Sequence, residues 1–489
     1  MDDVQTFIAD NGDLFWSWIV LPVVVVLGLY FTIRTSVVQV RLLPAMLRTL
    51  RDPTPRNAQG EAQSISAFQA FTVSAASRVG VGNIAGVGTA ITLGGPGAVF
   101  WMWLMATIGG ASSFVESTLG QLYKVRDKDG YRGGPAYYMQ YGLGRRWVGI
   151  LFAIILLICF PLAFSSLQAN TISGTLSSTS GYEGSGLGWG VGIALAVLTG
   201  LVVFGGIRRI AHVTQAVVPV MALLYLAVGL VIVIQNIGNV PQMISDIVSD
   251  AFTANSVTGA AVGTVILAGV KRGMFSNEAG LGSAPNAGAS AAVTHPVKQG
   301  LVQTLGVYFD TLIVCSITAF IILSSEQDYG AASAGIDLTY GAVTQGLGDW
   351  AGWLLAMIVF LLAFSSIIGN YYYGESNLEF IKNDRTLLAA FRAVACLAVL
   401  VGAVLSADVV WAFADAIMGA MALVNLISIA LLSAVAFRLL KHYQQQRSSG
   451  VDPVFVQGDV PVPGYVETWR NRAEVVGPGE PEDEAISRP

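Results

Sequence analysis

The residues best placed to do chemistry lie where an apolar run of membrane-spanning length is interrupted. From Ser74 to Gly97 the chain reads SAASRVGVGNIAGVGTAITLGGPG, with Arg78, Asn83 and four glycines at its middle. Glycine costs a helix interior about 0.8–1 kcal/mol relative to alanine, and an arginine at bilayer depth costs roughly 3 kcal/mol or more. A continuous helix is therefore unfavourable here, and broken backbone at that depth lines a cavity. Breaking the helix frees carbonyl oxygens, which suit a cation, and N–H groups at a half-helix N-terminus, which suit a carboxylate. The run GVGNIAG is not a dinucleotide-binding fingerprint, because its glycine spacing is wrong and no strand precedes it. Close helix packing accounts for each glycine taken singly, but not for the polar residues among them.

The same writing returns from Lys271 to Gly282 as KRGMFSNEAGLG. Laying Arg272 on Arg78 also matches Asn277 with Asn83, Ala279 with Ala85, Gly280 with Gly86 and Gly282 with Gly88. Two interrupted segments at corresponding places in two halves point to a transporter binding site.

Four acids fall within apolar runs: Glu116, Glu278, Asp310 and Asp415. Each is costly in hydrocarbon unless paired or hydrated, which makes each a candidate for function. Glu278 is expected to neutralise Arg272 or Lys271 across the broken helix. Asp310, midway along its run, is the preferred titratable or cation-facing carboxylate. Glu116, near a span end, is expected to meet water or a basic loop. Cys159, Cys315 and Cys396 read as packing thiols. His212, His295 and His442 fall near span ends without clustered Cys or Asp, so neither a metal nor a nucleophile for a membrane-embedded enzyme is apparent. No cofactor and no nucleic acid is implied, and the oligomeric state is not legible.

The elements that must hold these residues are helices in a bilayer. Of 489 residues 54% are hydrophobic and 12% charged, about half the charge of an ordinary soluble domain. Eleven spans are expected, in an all-α polytopic architecture. Lys and Arg follow the odd-numbered spans, whereas 173–188, 235–259 and 324–349 contain none. By the positive-inside rule the N-terminus lies outside and the C-terminus inside a cell membrane. The acidic start, with no basic region before its first apolar run, is not expected to be a cleaved signal.

Five helices separate the second and seventh spans, so their similar sequences enter from opposite sides as an inverted repeat. The expected organisation is an extracytoplasmic N-terminus and extra first helix (1–33), then a basic cytoplasmic linker (34–65). A first five-helix repeat (66–236) follows, broken near 77–83, then an extracytoplasmic loop (237–257). A second repeat (258–440), broken near 271–278, leads into a cytoplasmic tail (441–489). The tail is rich in Pro, Gly and acids and is expected to be disordered and dispensable for transport.

Five stretches carry a resemblance: RVGVGNIAG from Arg78, GGPGAVFWMW from Gly94, GGPAYY from Gly133, GMFSNEAGLGSAP from Gly273 and AFSSIIGNYYYGE from Ala363. Together they resemble the alanine/glycine:cation symporter family over about residues 14–440. The resemblance implies a LeuT-like 5+5 fold with one added helix and sodium-coupled import of a small neutral amino acid. By position it implies substrate contacts from Arg78, Val79, Gly80, Gly82, Gln168, Ile172, Met274, Phe275, Ser276 and Asn370.

Sodium prefers oxygen ligands. Ser365 and Ser366, with carbonyls near Ala76 and Val79, therefore form one expected cation site, although two serines can simply bond their own helix. Asn83, Ser276 and Asp310 complete the expected sodium ligands. Asn370 stands where the family commonly has tryptophan, and Arg78 where it commonly has a small or hydroxyl residue. An amide in place of an indole leaves a larger, more polar pocket, so glutamine or serine rivals alanine and glycine. Arg78 could pair with the substrate carboxylate or replace a bound cation. Proton coupling through Asp310 or Glu278 is the alternative to sodium. A channel fits less well, since two interrupted helices at one depth suit occlusion.

Overall fold

The computed structural model describes residues 12–477 apart from 58, 129, 183, 205, 253–260, 328 and 330–334. Among them are nine continuous helices long and apolar enough to cross a membrane. The second and seventh expected spans are not in this set because each is built in two pieces.

The first helix, α1 (Leu21–Arg34), is followed by the first interrupted span, α2 (Ala67–Arg78) and α3 (Ala85–Gly94). A capping box starts α2: Ser66 Oγ accepts the Gln69 N–H at 3.1 Å and Gln69 Oε1 accepts the Ser66 N–H at 3.0 Å, satisfying donors a helix start leaves open. α4 (Gly97–Leu122) leads to a small antiparallel hairpin, Val125–Asp127 with Gly130–Arg132. The fourth span is α5 (Arg146–Ile158), a π-helical turn (Cys159–Phe164) and α6 (Ser165–Ser180). α7 (Ser185–Val203) and α8 (Gly206–Gln235) complete the first half.

The second half opens with the other interrupted span, α9 (Ala261–Asn277) and α10 (Ala284–Ala289). The eighth span is α11 (Pro296–Tyr308), a π-helical turn (Phe309–Cys315) and α12 (Ser316–Leu323). Then come α13 (Gly335–Leu347), α14 (Trp350–Ile381), α15 (Arg385–Gly402) and α16 (Ala407–Ser448).

The two interrupted spans lie inside this bundle. α2 packs against α8 and α14, α9 packs against α4 and α3, and α1 stands to one side on α4 and α16. The π-helical turns of the eighth and fourth spans fall where those spans pass the interruptions, and such turns re-aim side chains out of helical register.

Two expectations on organisation are corrected. The second interruption falls at residues 278–283, not near 271–278, because Lys271 and Arg272 remain helical while Glu278, Gly280 and Gly282 turn left-handed at φ +57°, +82° and +81°. The tail is ordered through residue 477, whereas 478–489 lie outside the described residues. Val454, Phe455, Val460, Val466, Trp469 and Val475 are buried. The Phe455 N–H donates to Thr294 O (2.9 Å) and Trp469 Nε1 donates to Leu122 O (3.2 Å). Lys298 bridges Asp52 (2.7 Å) and Asp452 (2.9 Å), tying linker, α11 and tail together. Scattered apolar residues fasten this segment although its average composition is polar.

Candidate functional site

At the first interruption Val79 and Gly80 leave the helix and Val81–Asn83 form a single 3₁₀ turn. Asn83 closes that turn by accepting the Gly80 N–H on Oδ1 at 2.9 Å. Its other end donates from Nδ2 to Asp310 Oδ1 at 2.7 Å, with Cys315 Sγ at 3.2 Å. Asp310 Oδ2 accepts from Ser276 Oγ (2.7 Å) and Thr311 Oγ1 (2.9 Å). Asn83, Ser276 and Asp310 are all fully buried. Three elements distant in sequence thus converge on one carboxylate beside freed backbone. Cys315, a free thiol buried in the core, packs against this polar cluster.

On the opposite side of the turn Ser366 Oγ lies 2.9 Å from Ala76 O and 3.0 Å from Leu362 O. Ser365 Oγ faces Leu362 O (2.9 Å) and Met221 Sδ (3.2 Å). Ser366 therefore reaches across to α2, whereas Ser365 bonds its own helix. Val79, three residues beyond Ala76, is buried.

Between these two oxygen clusters the glycines allow close approach. Gln168 Oε1 accepts the Val81 N–H at 3.0 Å. A methyl on Gly80 would come within 2.3 Å of Ser366 Oγ and 2.9 Å of Gln168 Oε1, and one on Gly82 within 2.8 Å of the Phe275 ring. Ile172, one turn beyond Gln168, and Met274 are buried in the same core. Phe275 lies between Phe164 and Trp411, with centroids at 4.6 and 5.0 Å. Arg272 stacks over Trp411 at 4.1 Å and grips Asp415 with two bonds of 3.0 and 2.6 Å. An aromatic and ionic cap thus covers one side of the interruption.

The Sodium:alanine symporter family pattern matches residues 1–457. The chain belongs to this family. The amino-acid carrier protein AlsT of Bacillus subtilis (strain 168) is 48% identical over 95% of this chain and 97% of its own length. The probable sodium/glutamine symporter GlnT of the same organism is 45% identical over 94% of each. Among solved structures MhsT in complex with L-phenylalanine aligns with a TM-score of 0.55 at 12% identity, covering 80% of this chain and 99% of that one. That likeness gives the fold alone, and the fold is LeuT-like. The protein is a multi-pass membrane transporter and not an enzyme, in a family that couples amino-acid movement to sodium.

Not every expected symporter residue meets at the Gly80 turn. Arg78 is buried and donates from Nη1 to Gln303 O at 2.9 Å, so its guanidinium lies against α11. Asn370 Oδ1 accepts from Ser77 Oγ at 2.7 Å, and that hydroxyl also lies 2.7 Å from Glu278 Oε1. Glu278 bonds Ser77 and Ser283, not Arg272 or Lys271 as expected. Lys271 pairs with Asp13 and Asp415 instead.

Glu116 meets neither water nor a basic loop. Its oxygens accept the N–H groups of Gly280 (3.3 Å) and Gly282 (3.1 Å) and the Asn425 amide (2.7 Å). Two of the three histidines do meet, with His295 Nε2 at 3.2 Å from His442 Nδ1. The sequence marked Glu116 and Asp415 by the cost of burying them, but their partners lie more than a hundred residues away.

Proposed function

We propose that this chain imports a small neutral amino acid, alanine or glycine, together with sodium by alternating access. The observation that carries the reading is the pair of oxygen clusters flanking one unwound turn: Ala76 with Ser366, and Asp310 with Asn83 and Ser276. A hard cation takes oxygen ligands, and a carboxylate or hydroxyl that already faces a freed carbonyl is most of such a shell. In this reading Ala76, Val79, Ser365 and Ser366 supply one sodium site, and Asn83, Ser276 and Asp310 bear on a second. Gly80, Gly82, Gln168, Ile172, Met274, Phe275 and Ser276 shape the substrate position, with Arg78 and Asn370 behind it.

The crowding of Gly80 by Ser366 and Gln168, and of Gly82 by Phe275, favours a small side chain. Orientation follows the basic loops: the N-terminus is outside, so the Phe275–Trp411 cap faces outward and the tail lies on the cytoplasmic side. Substrate and sodium enter past the cap, and rocking of one half against the other releases them within.

A second reading is glutamine or serine as substrate. It is favoured by Asn370, which is 1% exposed and has no partner for Nδ2 among the described residues. Uptake of labelled alanine, glycine, serine and glutamine into proteoliposomes, with sodium and proton gradients imposed separately, decides among these. The main reading expects alanine or glycine accumulation driven by sodium alone. Accumulation driven only by protons, or accumulation of glutamine alone, would overturn it.

A further inference from the structure

Outside the transport site, the fold forms a groove of about 440 Å³ between α5 and α16. Its walls are Leu143, Trp147, Val148 and Leu151 on one side and Val424, Ile427 and Leu431 on the other, with Arg145 at one end. Trp147, Leu151, Ile427 and Leu431 are exposed at 65%, 41%, 54% and 69%, so the walls face the hydrocarbon of a bilayer.

The exposed stripe of α16 runs on through Ala434 to Arg438, which is also exposed. Arg438 is seven residues beyond Leu431, and at 3.6 residues per turn it keeps the same face about 10 Å further along. Gly142 abuts Leu432, so the two helices present their basic ends together. Neither Arg145 nor Arg438 is in an ion pair among the described residues.

We propose that this groove holds one anionic phospholipid of the leaflet on the basic side, its acyl chain along the apolar walls and its phosphate at Arg145 and Arg438. Charge complementarity selects the headgroup. A zwitterionic lipid would fill the walls equally well and bring a phosphate, but its headgroup cation would stand beside the two arginines, whereas a net anionic lipid adds no cation to the site. Trp147 suits the level where chain meets headgroup. Binding here is independent of the transport reading, so the test reads lipid and not uptake.

Purified protein in detergent, given an equimolar mixture of phosphatidylglycerol and phosphatidylcholine, is examined by native mass spectrometry. Wild type is expected to retain phosphatidylglycerol preferentially, by about fivefold for each arginine engaged. Arg145→Gln with Arg438→Gln should remove that preference, and Leu431→Trp, which fills the groove, should lower retention of both lipids. Lys382→Gln, on an exposed lysine outside the groove, should change neither. Should the double variant fail to fold, loss of the wild-type preference in raised salt tests the same electrostatics. Equal retention of the two lipids by wild type overturns the proposal. So does full retention in Leu431→Trp, which would mean surface charge without a groove, and displacement by millimolar inorganic phosphate, which would mean a phosphate site without an acyl chain.

Discussion

The two interruptions carry nearly the same letters and are built on different physics. At the first, no residue is left-handed: Val79 (φ −79°, ψ 86°) and Gly80 (φ −140°, ψ −149°) leave the helix, one 3₁₀ turn follows, and peptide groups face Gln168 and α14. At the second, Glu278, Gly280 and Gly282 are all left-handed, and the freed N–H groups of both glycines end on Glu116. Gly86 and Gly88, which align with Gly280 and Gly282, sit inside α3, where the absence of a side chain serves packing. A methyl on Gly88 would come within 2.0 Å of Gly335 O. In the proposed reading the first interruption offers its backbone to substrate and sodium, while the second is stapled by a carboxylate of the protein. Sequence similarity thus reported that both helices break, not what each break is for.

The largest expected effect separates stability from transport. Glu116→Ala leaves two buried N–H groups unpaired, at about 1–3 kcal/mol each, and takes one of the two bonds donated by the Asn425 amide, which keeps Gly280 O. Folded protein should be lost, read as collapse of the monodisperse peak in detergent. Asn83→Ala removes one local cap, worth about 1 kcal/mol, and one bond to Asp310, which keeps Ser276 and Thr311; it should leave a folded protein that takes up substrate at least tenfold more slowly, roughly the effect of one lost charge-assisted hydrogen bond. Equal loss of folding in both variants would erase the distinction between the breaks.

A matched pair of glycines sharpens it. Gly280→Ala must hold a side chain at φ +82° with Leu426 at 3.1 Å, which costs about 1–2 kcal/mol or more. Gly86→Ala meets only Trp411, at 3.9 Å, in a helix that favours alanine by about 1 kcal/mol. Thermal unfolding should therefore fall for the first and hold or rise for the second. A matching fall in both would show that the aligned glycines do one job.

The position of the first break was legible because polar residues and glycines coincide at Arg78–Gly82. The second was misplaced by several residues because the conspicuous Lys271–Arg272 pair is not where backbone turns. Asp415, 143 residues from Arg272, neutralises it within the helix, and no local pattern announces such a partner. Asp310 was legible as a buried carboxylate, but its partners come from α3's approach, α9 and a π-helical turn, a register that periodicity does not show. The tail was missed for a related reason. Phe455 and Trp469 are single apolar residues in polar sequence, and only the surface they land on makes them anchors.

Within the first break, the two serines of α14 should differ. Ser366→Ala removes the hydroxyl that reaches Ala76 O and should raise the sodium concentration for half-maximal uptake by about tenfold, equivalent to roughly 1.4 kcal/mol. Ser365→Ala removes one turned to its own helix and Met221, with a smaller shift expected. Measured sodium titrations in the reverse order would move the cation to Ser365.

The smallest effect concerns the tail. Burial holds the His295 imidazole well below its usual value of 6.5, helped by His442 and Lys298 nearby. Its Nδ1 accepts the Val297 N–H at 3.2 Å, which places the remaining proton on Nε2 facing His442. Above pH 6.5 the ring is neutral whether or not the tail is seated, and the attachment keeps its full strength. As pH falls below 6.5 the released ring gains a proton that the buried one resists, so attachment weakens progressively toward the lower, seated value. Hydrogen exchange of residues 452–469 should accordingly quicken, after correction for intrinsic rates, between pH 7.5 and 5.5. His295→Gln, which has no proton to gain in that range, should flatten the dependence; a slope surviving unchanged in that variant would show that His295 is not its source.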